Sequence, residues 1–390
     1  DRMGGKGEVD DPRFVAHFED GSTGSTTTRT SDGQLMFLAN MVAKMKADTV
    51  LGSRIATVHN GSSLFSGDAG QGESNLRRQL IEGDLLEAVI ALPLRLFYNT
   101  GIATYVWVLS NRKPKERQGK VQLIDATAWS KPLRRVLGQK GVELTPEDID
   151  RIVEEFRRCE DGERSKVLAN KDFGYWEVTV ERPLRLRVDC GDEAMARLTR
   201  ACKDAKDGAL VAVVNDAVKA LDATTSADYN TFIARVEVAA EARGEKLTDK
   251  RRKLVRGAVT TRDPEAARVV VRTLRGKVTA APLEGRFDAT VGGRAAVVEY
   301  EPDSELRDTE QVPLLEEGGV EAFLTREVLP HTPDAWEEKS ARRIGYKINF
   351  NKHFYAPQVM RSLEDIRAEI LTVHAKSEAL LATILGRSAP

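Results

Sequence analysis

The sequence predicts an α/β fold followed by a mainly helical C-terminal region, and three observations carry that expectation. Leu85 to Leu92, Ala103 to Asn111 and Lys120 to Asp125 are continuous apolar runs of strand length, the pattern of strands covered on both faces. A shorter strand, Arg54 to His59, runs into the Gly-rich stretch NGSSLFSGDAGQGES and then a helix, as in sheets whose site lies at strand C-terminal ends. The order helix, strand, helix, strand, strand leaves no helix between the second and third strands. These two are therefore expected to form an antiparallel hairpin closing a mostly parallel sheet.

The elements follow in chain order. Residues 1 to 30 are rich in Gly, Ser, Thr and Asp without a sustained period and read as a long loop. Ser31 and Asp32 offer caps for a helix whose Leu35, Leu38, Met41, Val42 and Met45 fall at helical spacing. GDAGQGES lacks the Gly-Lys-Ser/Thr ending of a phosphate loop and reads as a connection rather than a nucleotide cradle, with Ser74 as cap for NLRRQLIE. From residue 131 the texture becomes charged and helical. TPEDIDRIVEEFRR starts on Thr145 as N-cap, with Pro146 at the first helical position and acids in the first turn.

FGYWEVTVERPLRL, residues 173 to 186, reads as an extended excursion ending at Pro183, and residues 190 to 280 as Ala-rich polar helix. Within it, residues 243 to 277 carry twelve Lys/Arg against four Asp/Glu. That stretch suits a solvated face or a surface near nucleic-acid phosphates. Gly292-Gly293 between RFDATV and RAAVVEY predicts a small hairpin. At the C-terminus Ser362 and Asp365 form a capping-box variant. Beyond it Leu363, Ile366, Ile370, Val373, Ser377, Leu380 and Ile384 trace a heptad seam with one polar member. Such a narrow stripe suits either packing on its own protein or a helix offered to a partner.

Composition excludes several classes. A formal net charge of -1 argues against a protein that binds nucleic acid through bulk charge, and no helix-turn-helix or zinc-finger pattern is present. Cys159, Cys190 and Cys202 lack metal-ligand spacing and read as free thiols of a reducing cytoplasm. No apolar stretch approaches the roughly 18 residues that span a bilayer, so no membrane partner is expected. The five histidines are scattered, and no metal site is expected. His59, at a strand end, reads as structural because no acid or nucleophile is spaced to work with it.

One stretch is left over. ALPLRLFYNTGIATYVWVLSNRK places Phe97-Tyr98-Asn99-Thr100-Gly101 between two strands that a two-residue turn could have joined. Aromatics beside amide and hydroxyl groups at a sheet rim suit a flat heteroaromatic ligand, and stacking a base is worth about 1 to 3 kcal/mol. Aromatics folded into the core beneath the hairpin are the alternative.

Six segments carry a resemblance: SDGQLMFLANMVAKMK, GSRIATVHNGSSLFSGDAGQGESNLRR, LLEAVIALPLRLFYNTGIATYVWVLSNRKPKERQGKVQLIDA, FGYWEVTVERPLRL, LRDTEQVPL and IGYKINFNKHFY. Together they resemble the modification subunit of type I restriction-modification systems, an N6-adenine DNA methyltransferase. The resemblance implies the C-terminal half of a Rossmann-like sheet of S-adenosylmethionine-dependent methyltransferases, whose last two strands form the antiparallel hairpin. It implies a base pocket in which Phe97 stacks on a flipped adenine, with Tyr98, Asn99 and Thr100 beside it and Asn60, Gly61 and Ser62 approaching from the preceding strand end. It also implies direct in-line transfer of the sulfonium methyl to the adenine amine without a covalent enzyme intermediate or a metal. The implied partners are a DNA specificity subunit, a restriction subunit, a second modification subunit and duplex DNA.

The departures are as informative. The Asn/Asp-Pro-Pro-Phe/Tyr motif that orients the adenine amine is absent, since no Pro-Pro occurs in the sequence, and so is the Gly-rich turn that binds S-adenosylmethionine. The chain begins at Asp1, and the expectation is a C-terminal part of a longer subunit, cut just after its catalytic motif and inactive alone. Its expected domains are 1–189, the methyltransferase part; 190–300, a helical and partly basic region with a small hairpin; and 301–390, a tail ending in the assembly helix. The competing reading is a non-catalytic assembly module that grips a specificity subunit.

Overall fold

A computed structural model describes residues 11–221, 223–355 and 362–384 of the 390-residue chain. It contains helix α1 (Gln34–Val42), strand β1 (Arg54–Asn60), helix α2 (Gly72–Glu82), and strands β2 (Leu86–Ala91), β3 (Thr104–Ser110) and β4 (Lys120–Asp125). These are the elements the apolar runs predict, and the protein is α/β. The β2–β3 hairpin is present, but its return strand is inserted rather than terminal: β3 lies antiparallel between β1 and β2. β2 then pairs in parallel with β4, and β4 antiparallel with β7 (Ser165–Ala169). Only one of the four pairings is parallel, so the expected mostly parallel sheet is corrected. Periodicity locates strands but carries no information on which of them become neighbours.

The two faces of this sheet are closed differently. Leu76, Leu80 and Ile81 of α2 are buried, because their helical spacing puts them on one stripe, and so are Leu86, Trp107, Leu109 and Leu123 of the sheet. Ile90, Leu92, Ile124 and Ala126 form a second cluster, joined by Ile152 and Phe156 of α3 (Pro146–Arg158). Helix α3 starts as predicted: Thr145 Oγ1 accepts from Asp148 N while Asp148 Oδ2 accepts from Thr145 N.

Helix α1 opens as expected on Asp32, whose Oδ1 accepts from Gln34 N at 3.3 Å across Gly33. Two local expectations are corrected. Ser74 lies inside the first turn of α2 and is buried, its Oγ accepting from Tyr346 N at 3.0 Å. Residues 15 to 17 and 23 to 25 pair as a small hairpin instead of a loop, with Ala16, Thr26 and Thr28 buried beneath it. The Gly-rich connection passes so close to that segment that a Cβ on Gly72 would stand 1.9 Å from the Thr27 carbonyl oxygen.

A second hairpin, β5 (Lys131–Leu137) and β6 (Lys140–Glu143), follows β4. Strand β8 (Gly174–Glu181) realises the FGYWEVTV excursion. The next region holds β9 (Leu186–Asp189), α4 (Asp192–Asp204), α5 (Ala209–Leu221), α6 (Tyr229–Ala242), α7 (Asp249–Val259), β10 (Thr260–Arg262) and β11 (Val270–Thr273). It is less uniformly helical than its composition predicts. β9 pairs with β10, and the four helices bury Leu198, Val213, Phe232 and Val255 in one core. β12 (Arg286–Val291) and β13 (Arg294–Tyr300) turn on Gly292-Gly293, both at positive φ, as the two-residue hairpin predicts.

Strands β14 (Asp308–Pro313) and β15 (Arg343–Tyr346) both pair antiparallel with β8. The chain divides into compact units between Ile348 and Asn349. In the second, α8 (Leu363–Ile384) realises the predicted C-terminal helix, opened by Asp365 N donating to Ser362 Oγ at 3.1 Å.

Candidate active-site rim

Register fixes one end of the main sheet. Asn60, the last residue of β1, stands opposite Thr104, the first of β3, and Ala91 stands between Tyr105 and Asp125. β1, β2 and β4 thus all end at the rim from which the loop 92–103 departs. Ligands of open α/β sheets bind at such C-terminal ends.

On the β1 side the rim is a polar knot. Gln34 holds Asn60 at two points: its Oε1 accepts from Asn60 N at 3.1 Å, and its Nε2 donates to Asn60 Oδ1 at 2.7 Å. The same Nε2 reaches Ser62 Oγ at 2.8 Å, and Ser62 Oγ donates to Asp32 Oδ2 at 2.6 Å. Burial pushes the Asp32 carboxyl up, but the hydrogen bonds from Ser62 and Gln34 outweigh it and hold the group below the ordinary range. Gly61 sits over Tyr105, where a Cβ would meet the ring at 3.5 Å.

His59 stands one residue before the knot and takes no part in it. Its ring is buried edge-on to Trp107 at 5.9 Å, neither ring nitrogen has a hydrogen-bond partner, and burial lowers its pKa to about 4. This is the structural role its isolation in the sequence predicts, with no partner to make it a base.

On the β2 side the loop is held from within and without. Phe97 and Thr100 bridge across Tyr98-Asn99 as a tight turn. The Phe97 ring is half-buried against the Ile90, Leu92, Ile124 and Ala126 cluster, whereas Tyr98 is 58% exposed and Asn99 faces solvent. The two aromatics therefore divide the alternatives left open by composition: one lies against the core and one stands out from it. From outside, Tyr98 O accepts from Gln139 N and Arg95 O from Gly141 N, each at 2.9 Å, and Lys140 Nζ lies 5.0 Å from the Tyr98 ring centroid.

The structure thus brings Asn60, Gly61 and Ser62 together, and separately Phe97 to Thr100. The two groups leave strands flanking β3, with no hydrogen bond between them among the described residues. Sequence reasoning missed Gln34, Asp32 as a rim residue, Tyr105 and the β5–β6 brace. Gln34 and Asn60 are 26 residues apart, and a contact at that separation leaves no local pattern to read. The rim's polar groups bond one another, so these residues do not by themselves fit an S-adenosylmethionine pocket. Among the described residues no three His, Cys, Asp or Glu side chains gather as metal ligands, and no helix is long and apolar enough to cross a membrane.

In α8 the seam residues Leu363, Ile370, Val373 and Leu380 are each at least 60% exposed and Ile366 is 39% exposed. Ile366, Ile370, Val373 and Ser377 line one shallow groove. The side chain of Ile384 lies outside the described residues.

Comparison with known proteins gives concordant matches. Residues 5–174 match the N-6 DNA methylase family. A type I restriction enzyme MjaVII methylase subunit from Methanocaldococcus jannaschii is 36% identical over 110 residues, 28% of this chain and 18% of that protein. The HindI methylase subunit from Haemophilus influenzae is 35% identical over 101 residues, 26% of this chain and 21% of that protein. Among solved structures, a type I methyltransferase subunit from Streptococcus thermophilus aligns with a TM-score of 0.34 at 25% identity, covering 43% of this chain and 31% of that one. The matches span about a fifth of the length of these curated relatives. Through the segment that contains the rim, the chain matches the N-6 DNA methylase family model and is similar to methylase subunits of type I restriction enzymes.

Proposed function

We propose that this chain works as part of a type I modification subunit that transfers a methyl group from S-adenosylmethionine to adenine N6 in duplex DNA. The observation that carries the reading is the loop 92–103, an aromatic-bearing turn at a C-terminal sheet rim within the segment that matches the N-6 DNA methylase family. In this reading Phe97 supplies the stacking face for the extruded base, and Asn99, Thr100 and the Asn60–Ser62 knot supply polar edges. A flipped base loses its duplex stacking and must be held by a comparable interaction. S-adenosylmethionine supplies an electrophilic methyl group. The Pro-Pro motif that orients the amine is not among these 390 residues, so the chain alone is expected not to methylate. Sequence specificity would reside in a separate specificity subunit gripped by α8, in a complex that also holds a second modification subunit and a restriction subunit.

One experiment tests the reading. Radiolabelled methyl transfer to duplex DNA is compared for the full-length subunit in its complex, its Phe97→Ala variant and the present chain alone. The expected result is activity in the first and a loss of about 5- to 150-fold in the second, the equivalent of about 1 to 3 kcal/mol of stacking, with none in the third. Undiminished transfer by Phe97→Ala would remove the stacking role. The specific observation behind the assembly-module reading is the exposed seam of α8, and both readings share it.

A further inference from the structure

The conspicuous basic stretch, residues 243 to 277, is largely matched by its neighbours. At least seven of its twelve cations meet an acid from outside the stretch: Arg243 with Asp216, Arg251 with Asp207, Arg252 with Glu237, Arg256 with Glu301, Arg262 with Asp303, Arg268 with Asp334 and Arg272 with Glu299. Its positive potential is offset within the fold. A less conspicuous group is not offset. Arg95, Arg134, Arg135 and Lys140 cluster on the β5–β6 hairpin and the loop it grips, and among the described residues none of the four meets a carboxylate. The hairpin's one acid, Glu143, stands opposite Lys131 at its base.

Exposure and position give this cluster a direction. Arg134 and Arg135 are exposed, as is most of β5. The other two cations brace the loop: Lys140 lies over Tyr98, and the Arg95 backbone carbonyl accepts from Gly141. Uncompensated like charges on an exposed strand repel one another and favour an anionic partner. A seven-residue strand reaches about 23 Å, a span over which one DNA strand presents about six or seven phosphates. The hairpin is hydrogen-bonded to the loop that carries the Phe97–Thr100 turn, so it lies beside any duplex that delivers a base to that turn.

We propose that the β5–β6 hairpin is the phosphate-contacting surface for duplex DNA beside the base lip, with Arg134 and Arg135 on the backbone and Arg95 and Lys140 fixing the hairpin to the loop. The assignment rests on the methyltransferase reading above.

The test uses the full-length subunit in its assembled complex and a fluorescently labelled duplex, with affinity measured by anisotropy across a salt series. Each lost phosphate contact flattens the dependence of log K on log salt by about 0.9. Arg134→Gln/Arg135→Gln is expected to reduce the slope by about 2 and to weaken specific and non-specific duplexes alike, since phosphate contacts carry no sequence information. Arg134→Lys/Arg135→Lys is expected to keep the wild-type slope, because a phosphate reads charge. An unchanged slope in the Gln variant, or equal loss in the Gln and Lys variants, would overturn the proposal. So would intact DNA binding with loss of subunit assembly, which would make the hairpin a protein contact. The parent reading fails separately: retained methyl transfer in Phe97→Ala counts against the base lip and leaves the salt slopes to decide the hairpin.

Discussion

His59 occupies a strand end where a general base would be sought, and its surroundings make it a neutral wedge. Desolvation against Trp107 lowers its pKa from 6.5 to about 4, with the charge of Asp32 opposing the shift. Between those two values the unfolded chain binds more protons than the folded one. Stability is therefore fully present above about pH 6.5 and falls as the pH drops toward 4. The loss between pH 7 and pH 5 should be about 2 kcal/mol, and His59→Leu should remove most of that difference in urea unfolding midpoints. A variant with the wild-type pH dependence would show that another group sets it. The role was legible because no partner is spaced to activate the ring. The rim residue Gln34 was not legible, because its significance lies in reaching Asn60 across 26 residues. Ser74 misled for a related reason: a hydroxyl near a helix start reads as a cap, yet its hydrogen bond comes from Tyr346.

Among elements, those whose signal is local were legible. The strands come from apolar runs, α3 from Thr145 and Pro146, and the β12–β13 turn from Gly292-Gly293. The insertion of β3 between β1 and β2 was not legible, and neither were β9, β10 and β11, which at three or four residues are too short to leave a period within helical surroundings. Helix α8 is legible in both pattern and exposure. Its seam leaves Leu363, Ile370, Val373 and Leu380 in water, and Leu371 and Leu381, which the heptad count omits, widen the apolar surface. Such a surface on a 22-residue helix is stabilised chiefly by tertiary or partner packing. Deleting residues 362 to 390 from the full-length subunit is expected to abolish co-purification with the specificity subunit. Unchanged recovery of both proteins would take α8 out of that interface.

At the scale of the molecule, segments remote in sequence close on one another around α2. Strand β8 pairs with both β14 and β15, and the chain after β15 returns so that Ile348 N donates to Leu64 O at 2.8 Å. Arg77 locks this closure. Its guanidinium is fully buried without a salt bridge among the described residues and donates to the carbonyls of Tyr346, Ser63 and Ser66 at 2.6, 3.0 and 2.6 Å. Burial lowers its pKa to about 10, so it stays charged at neutral pH and the three carbonyl dipoles are its principal solvation. Arg77→Ala would leave those acceptors unpaired around a cavity, at a cost on the order of 3 to 5 kcal/mol. The turn 63–66 directly follows the Asn60–Ser62 knot, so the loss should spread: in hydrogen exchange the Tyr346 and Ile348 amides are expected to lose protection in step with the Ser66 amide. If residues 343 to 348 kept wild-type protection while the turn alone loosened, the C-terminal strand would not be what holds this side of the rim in place.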